Sequence, residues 1–379
     1  MSIASLDVII AGGGIVGAAC AASCSQAGLR VALVERNALG GGATAAGMGH
    51  IVVMSDSEAQ FALTRYSQLL WRKLAGELST FAEYEAAGTL WLAADAEEMA
   101  EAERKHAYHA AHEVPSNLLT ASELADEEPN LRQGLAGALM VPEDAVVNPP
   151  VVAMHLARKA EGNGATLILG KSIAEMAVGE VLLDDGTRLR APRLVNATGA
   201  WSPEITGGLP VRKRKGHVVI TDRYPGFVHH QLVELGYLKS AHSHETTSIA
   251  FNVQPRKTGH ILIGSSRQYG DESAGVDQSI LASMLERAAA YMPAISSLNT
   301  IRVTTGFRAA TPDKLPLIGP STTDASVWLA TGHEGLGITT SLGTAALLTA
   351  MLTDQEPEIP VEPYLPARYA QSHISAHSA

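Results

Sequence analysis

The 379-residue chain reads as an α/β protein in which a Rossmann-like dinucleotide-binding unit is joined to a second, α+β domain built on an antiparallel sheet. Three features carry that reading. A strand, a glycine-rich turn, a helix and a second strand follow one another within the first forty residues. Near the other end, residues 327–330 run into a second glycine-rich turn and then a long helical stretch. Between them lie short strand-like runs at residues 88–93, 217–221, 248–253 and 260–264, each flanked by turn residues.

Taken in order, Asp7-Val8-Ile9-Ile10-Ala11 is the apolar run of a strand covered on both faces. It leads into Gly12-Gly13-Gly14-Ile15-Val16-Gly17, a G-x-G-x-x-G turn. Gly12 serves the tight turn, Gly14 the approach of a pyrophosphate, and Gly17 the packing of the helix on the strand. The small-residue stretch 15–27 is a helix closed by Gly28. Free N–H groups at its start, Ile15 and Val16 among them, suit phosphate. The strand at 31–34 ends at Glu35, placed for ribose hydroxyls, with Arg36 beside it. An acid there favours a free 2′-OH, as in FAD or NAD, over a 2′-phosphate.

Residues 39–50 are small and glycine-rich. Two readings apply: a surface linker, or a loop laid along a long cofactor through Gly42, Ala43, Thr44, Gly47 and Met48. The turn Gly332-His333-Glu334-Gly335-Leu336-Gly337-Ile338-Thr339 opens a helix reaching about Leu352. Its N-terminus suits developing negative charge, and a purely structural crossover is the plainer reading. Arg308, in the small and apolar run 306–310, needs an anionic partner if buried, and its fork suits a carboxylate.

With these blocks the chain resembles the D-amino acid oxidase/glycine oxidase superfamily of FAD-dependent oxidoreductases, nearly end to end. Further shared blocks are Leu194-Val195-Asn196-Ala197-Thr198-Gly199-Ala200-Trp201-Ser202, then Thr305-Gly306-Phe307-Arg308 with Thr311-Pro312-Asp313, then Leu315-Pro316-Leu317-Ile318-Gly319. The resemblance implies FAD as cofactor and a discontinuous, glutathione-reductase-type FAD-binding domain at 1–83, 141–216 and 305–365. A substrate domain would occupy 84–140 and 217–304, and a tail 366–379, with the proline-bearing stretch after Gln355 as an extended strap. It implies cofactor contacts from Ala197, Thr198, Gly199 and Trp201, from the backbone of Ile173, and from the 332–339 turn lying against the flavin. It places the substrate carboxylate on Arg308, and pocket-lining roles on Phe251 and Asn252. Met48 and His50 fall in the loop bordering the flavin, His50 as a flavin or substrate contact or as a structural histidine. Some relatives carry a basic residue where this chain has Gly335.

Within the superfamily, residues 47–60 and Gly236-Tyr237-Leu238-Lys239-Ser240 look most like flavin subunits of heteromeric bacterial dehydrogenases of the D-hydroxyproline type. That implies oxidation of a C–N bond in cis-4-hydroxy-D-proline or D-proline by hydride transfer, with electrons passed to partner subunits carrying iron–sulfur or a second flavin. A stand-alone oxidase of glycine, sarcosine or D-amino acids and a non-catalytic flavin-holding scaffold are the alternatives.

Composition bounds the rest. Apolar residues at 46% against 18% charged indicate a globular chain. A net charge of −11 disfavours nucleic acid and anionic membranes as main partners. Cys20 and Cys24, four apart on a helix, read as packing residues and exclude a disulfide framework. No apolar run is long enough to span a bilayer, so a cytoplasmic protein is expected. His106, His109 and His112 have helical spacing but lack an acidic or cysteine complement for a metal. His229, His230, His242 and His244 read as rim histidines of a loop, and Asp184-Asp185-Gly186-Thr187 as a hairpin turn.

Overall fold

In the computed structural model, residues 5–236 and 247–369 are described. Val8–Ala11 is buried at every position. Ile9 and Ala11 pack to one side of its sheet, Val8 and Ile10 to the other, which is why the run lacks a polar alternation. It is the inner strand of a six-stranded sheet in the order Leu317–Pro320, Val327–Thr331, Arg193–Asn196, Val8–Ala11, Val31–Glu35, Thr166–Leu169. Neighbours are parallel except at the Leu317–Pro320 edge. Helices Ile15–Gln26, Pro149–Gly162 and Gly337–Leu352 cover one face, and a three-stranded sheet containing the Gly186 turn covers the other.

The Ile15–Gln26 helix is built from alanine, cysteine, serine and glycine so that it can lie close to its neighbours. Cys24 Sγ sits 3.4 Å from Thr349 Oγ1 on the Gly337–Leu352 helix, and both cysteines are buried and unbridged. Gly28, at φ +87°, takes the left-handed conformation that follows this helix.

The second sheet has eight strands. Their order is Thr300–Ala310, Arg212–Arg223, His260–Gln268, Thr247–Pro255, Gln231–Glu234, Thr89–Ala93, Gly137–Val141, Asn117–Thr120. It is antiparallel except where Gln231–Glu234 meets Thr89–Ala93. Its core includes Phe251 stacked on Tyr291 with ring centres 4.6 Å apart.

Several expectations need correction. The boundaries set at 216/217 and 304/305 fall inside the strands Arg212–Arg223 and Thr300–Ala310. Both strands are long enough to belong to the antiparallel sheet while their ends reach the dinucleotide unit, so composition marks no break there. The stretch after Gln355 is no extended strap. It folds into two 3₁₀ turns, Glu362–Tyr364 and Pro366–Tyr369, with Tyr364 buried and Arg368 paired with Asp313 at 2.6 Å. The 39–50 segment contains a helical turn, Ala43–Ala46, and pairs His50 with Val146. His230 is no rim residue, because its Nδ1 lies 2.9 Å from the fully buried Glu128 carboxylate. Residues 237–240 of the Gly236–Ser240 motif, His242, His244 and the tail from 370 lie outside the described residues.

Among the described residues no helix is long and apolar enough to cross a membrane, and no group of His, Cys, Asp or Glu is arranged to hold a metal ion. His109 is buried in its helix, and His106 meets Ser116 at 2.9 Å.

Candidate active site

A cavity of about 410 Å³ runs between the two sheets, from Glu35, Arg36 and Ile173 past the Gly12 turn to Arg308 and Gly335. Its first part is a nucleotide cradle. Gly12 has φ +100°, and a Cβ there would lie 2.7 Å from the Ala197 carbonyl oxygen, so only glycine turns the chain this tightly. A Cβ on Gly17 would overlap the Gly12 carbonyl, so Gly17 lets the helix start directly above the strand. The Glu35 carboxylate is oriented by two backbone donors, Gly13 N–H to Oε2 and Asn37 N–H to Oε1, each at 2.7 Å. A carboxylate oxygen has more than one acceptor direction, which leaves capacity for ribose hydroxyls. Thr44 Oγ1 accepts from Ile15 N–H at 3.0 Å and ties the 39–50 segment to the helix N-terminus.

Opposite this cradle, the 197–201 turn is shaped by Asn196. Its Oδ1 accepts from Thr198 Oγ1 at 2.6 Å while its Nδ2 donates to Ser202 O at 3.0 Å. Trp201 then stands at the wall with the Arg36 guanidinium 4.8 Å above its ring.

The middle of the cavity is closed by the 47–50 segment. Gln254 Nε2 donates to Met48 O at 2.7 Å, and Thr339 Oγ1 to His50 O at 2.9 Å. Met48 packs over Gly264, where a Cβ would lie 2.8 Å from its sulfur. Burial pushes the His50 imidazole down to about 4, helped by the Arg256 charge, so the ring is neutral. Its Nε2 is enclosed on the same wall as the Asn252 side chain, which opposes the shift.

The far end is cationic. Arg308 rises from Thr300–Ala310 in register with Arg214 on the neighbouring strand. Among the described residues its single hydrogen bond runs from Nη1 to Ser266 O at 2.9 Å, so Nε and Nη2 remain for a ligand. Burial lowers its pKa, the Glu334 carboxylate opposes that shift, and Arg214 adds to it. Glu334 accepts from Arg214 Nη1 at 3.1 Å, and its own N–H donates to Ala309 O at 2.8 Å, which pins the 332–337 turn beside Arg308.

Most residues singled out in the sequence line this one cavity: Gly12, Gly14, Ile15, Val16, Glu35, Arg36, Gly42, Ala43, Thr44, Gly47, Met48, His50, Ile173, Ala197, Thr198, Gly199, Trp201, Asn252, Arg308, Gly335, Gly337 and Ile338. Others stand behind it. Gly17 packs helix on strand. Gly332, at φ +79°, makes the turn against Thr311. Leu336 ends in a neighbouring apolar cluster, and Thr339 bonds the His50 backbone. Phe251 is a correction: its ring stacks in the core of the second sheet and its N–H is taken by Glu234. Strand alternation turns it away from the face that carries Asn252.

Sequence reasoning missed Gly216, which leaves room for Arg308, and Arg214 and the Ser266 carbonyl, which hold Glu334 and Arg308 in place. Arg212, Arg214 and Gly216 alternate with Lys213 and Lys215, a period of two that assigns them to one face of a strand. That alternation was the available signal.

The glycine cradle, the paired Glu35 and the second helix start fit FAD, and the fold and site define an FAD-dependent oxidoreductase. The family model described as "FAD dependent oxidoreductase" matches residues 7–351, and the chain belongs to this DAO family. It is 28% identical to the hydrogen cyanide synthase subunit HcnC of Pseudomonas aeruginosa, with 96% of each chain covered. It is also 28% identical to the glycine oxidase of Geobacillus kaustophilus, with 96% of this chain and 97% of that one covered. The crystal structure of that glycine oxidase superposes with a TM-score of 0.86 at 26% identity, covering 97% and 99% of the two chains. The L-proline dehydrogenase of P. horikoshii shares the fold, with a TM-score of 0.88 at 23% identity over 97% and 98%.

Proposed function

We propose that this protein oxidises the C–N bond of an α-amino or α-imino acid whose carboxylate is held by Arg308. The observation that carries this reading is the half-used Arg308 fork at the end of a cavity that begins with a dinucleotide cradle. FAD, when bound, supplies a two-electron acceptor for the hydride on the carbon bearing nitrogen. The chain's own part is positioning. Arg308 fixes the carboxylate and hence the adjacent carbon. Neutral His50, on the same wall as Asn252, offers a ring nitrogen as an acceptor for an amine N–H. Met48, seated on Gly264, keeps bulk water from that wall. The start of the Gly337–Leu352 helix would offer backbone N–H groups to charge developing on the bound cofactor. The imine product hydrolyses in water.

Glycine oxidases among the relatives support an amino acid substrate. That HcnC is a subunit of hydrogen cyanide synthase supports the presence of partner subunits, and electron transfer to them is what the resemblance to D-hydroxyproline-type dehydrogenases implies. The test is anaerobic addition of cis-4-hydroxy-D-proline, D-proline, glycine or sarcosine to the yellow holoprotein. Bleaching of the flavin band supports the proposal, and peroxide formed in air identifies an oxidase. A flavin that no amine reduces leaves a cofactor-holding scaffold in its place.

A further inference from the structure

Arg308 is tied to the Ser266 carbonyl, and Ser266 is itself held from behind the cavity. The pairing of Arg212–Arg223 with His260–Gln268 shifts register between Lys215 and Val219. The pairing of His260–Gln268 with Thr247–Pro255 shifts between Ile249 and Asn252. Ser266 lies beside both irregularities, where the ladders hold the backbone least. Side-chain bonds take over there. His217 N–H donates to Ser266 Oγ at 3.0 Å, and the His217 Nδ1 lies 2.9 Å from the same oxygen. The other ring nitrogen, Nε2, accepts from Asp277 N–H at 3.1 Å. A nitrogen that accepts carries no proton, so the neutral ring bears its proton on Nδ1 and donates it to Ser266 Oγ. Asp277 in turn caps the Gln278–Tyr291 helix, its Oδ1 accepting from the Ser279 and Ile280 N–H groups.

His217 and Ser266 are both fully buried. Burial lowers the His217 pKa, as do the Lys215 and Arg308 charges, while Asp277 and Asp271 oppose them. Lys215 is turned to the 271–273 loop, with Nζ 2.6 Å from Asp271 Oδ2 and 3.1 Å from Ser273 Oγ. Gly216 lines the cavity, and strand alternation sends His217, the next residue, to the opposite face. A helix start thus fixes an imidazole, the imidazole fixes a serine, and the carbonyl of that serine takes Arg308 Nη1 at 2.9 Å.

We infer that His217 is a positioning residue for the carboxylate-binding fork: through Ser266 it sets where the Arg308 guanidinium stands. This rests on the reading of Arg308 as the carboxylate holder, and it adds a residue behind the cavity wall.

The two ring nitrogens have separate duties, and two amides separate them. His217→Asn puts an amide N–H where Nδ1 stands and keeps the donor to Ser266. His217→Gln reaches the Nε2 position, keeps an acceptor for Asp277 and loses the ring bond to Ser266. Acetate is titrated into each holoprotein and read from the flavin spectrum, beside flavin content and Tm. His217→Gln is expected to bind acetate about 3- to 10-fold more weakly than His217→Asn, the worth of one hydrogen bond. Ser266→Ala is expected to weaken acetate binding as His217→Gln does, and the two changes together add nothing further.

A histidine with a merely structural part lowers Tm in both amide variants and leaves their acetate affinities equal, and that result overturns the inference. Should His217→Gln yield no holoprotein, Ser266→Ala decides: a loss of acetate affinity of about threefold or more supports the inference, and a smaller one overturns it. Equal acetate affinities with amine bleaching intact remove His217 alone and leave the proposed function standing. An unmodified holoprotein whose flavin spectrum ignores acetate removes Arg308 as the carboxylate holder, and this inference with it.

Discussion

The Arg308 guanidinium lies directly over the backbone of Gly216: a Cβ at 216 would sit 2.9 Å from Cζ and closer still to Nη1. The two residues are on paired strands, with Lys215 opposite Phe307 and Gly216 opposite Gly306. The absence of a side chain at 216 is thus what allows the fork to fold across the strand and reach Ser266 O. Gly216→Ala is expected to keep FAD and the fold but to displace the guanidinium. Misplacement of about 1 Å costs on the order of 100-fold in positioning. The check is KM and kcat for the best amine beside flavin content; unchanged kinetics would sink the positioning role.

Arg308→Lys keeps a positive charge but replaces the planar fork by a point charge. Substrate and carboxylate inhibitors should bind more weakly by about 2–4 kcal/mol, with full flavin content. Titration of acetate against the flavin spectrum measures this without turnover.

Glu35 holds the cradle through Gly13 and Asn37, and it faces the cavity. Glu35→Ala removes these acceptors and leaves the Gly13 N–H without its partner. FAD should bind roughly 10- to 100-fold more weakly, the range expected for lost hydrogen bonds to a charged group. Flavin retained after gel filtration is the readout, and wild-type retention would assign Glu35 a purely structural part.

The pH dependence of stability has two opposing sources. His50 and His333 are both pushed down to about 4 from 6.5, by burial first. Their unfolded forms bind more protons in that interval, so the stability they contribute is present above pH 6.5 and is lost as pH falls towards 4. Asp144 moves the other way. Burial raises it from 3.8 to about 7, although its Oδ1 accepts from Val53 N–H at 3.1 Å and Gln68 Nε2 at 3.0 Å. The native state binds the extra proton here, so this group lowers stability as pH rises from about 4 to about 7. Asp144→Asn, which replaces the carboxyl by an amide that stays neutral at every pH, should gain Tm relative to wild type as pH increases from 5 to 8. A difference in Tm that stays constant with pH would assign Asp144 an ordinary, ionised carboxylate.

The dinucleotide unit was legible because its demands are local. Gly17, Gly28 and Glu35 each answer a constraint set within some thirty residues: a close packing, a helix end, an acid at a strand end; Gly12 answers its own turn as well as the approach of Ala197. The loop at 39–50 and the turn at 332–339, which line the cavity, stood out for the same reason, since runs of small residues are unusual beside regular elements. The grouping of arginines around Arg308 was not legible. Arg214, Arg267 and Arg308 come from three strands, and their grouping depends on register. A shift of one residue would send any of them to the opposite face, as it does Phe251 beside Asn252.

Chain order and residue type therefore settled that a nucleotide is held, and where its cradle starts. Only the packed sheets decided which guanidinium reaches the cavity, which glycine makes room for it, and which aromatic ring is turned away into the core. The physical reason is range: backbone turns act over a few residues, whereas burial and mutual charge act between strands far apart in the chain, such as those of Arg214 and Arg308.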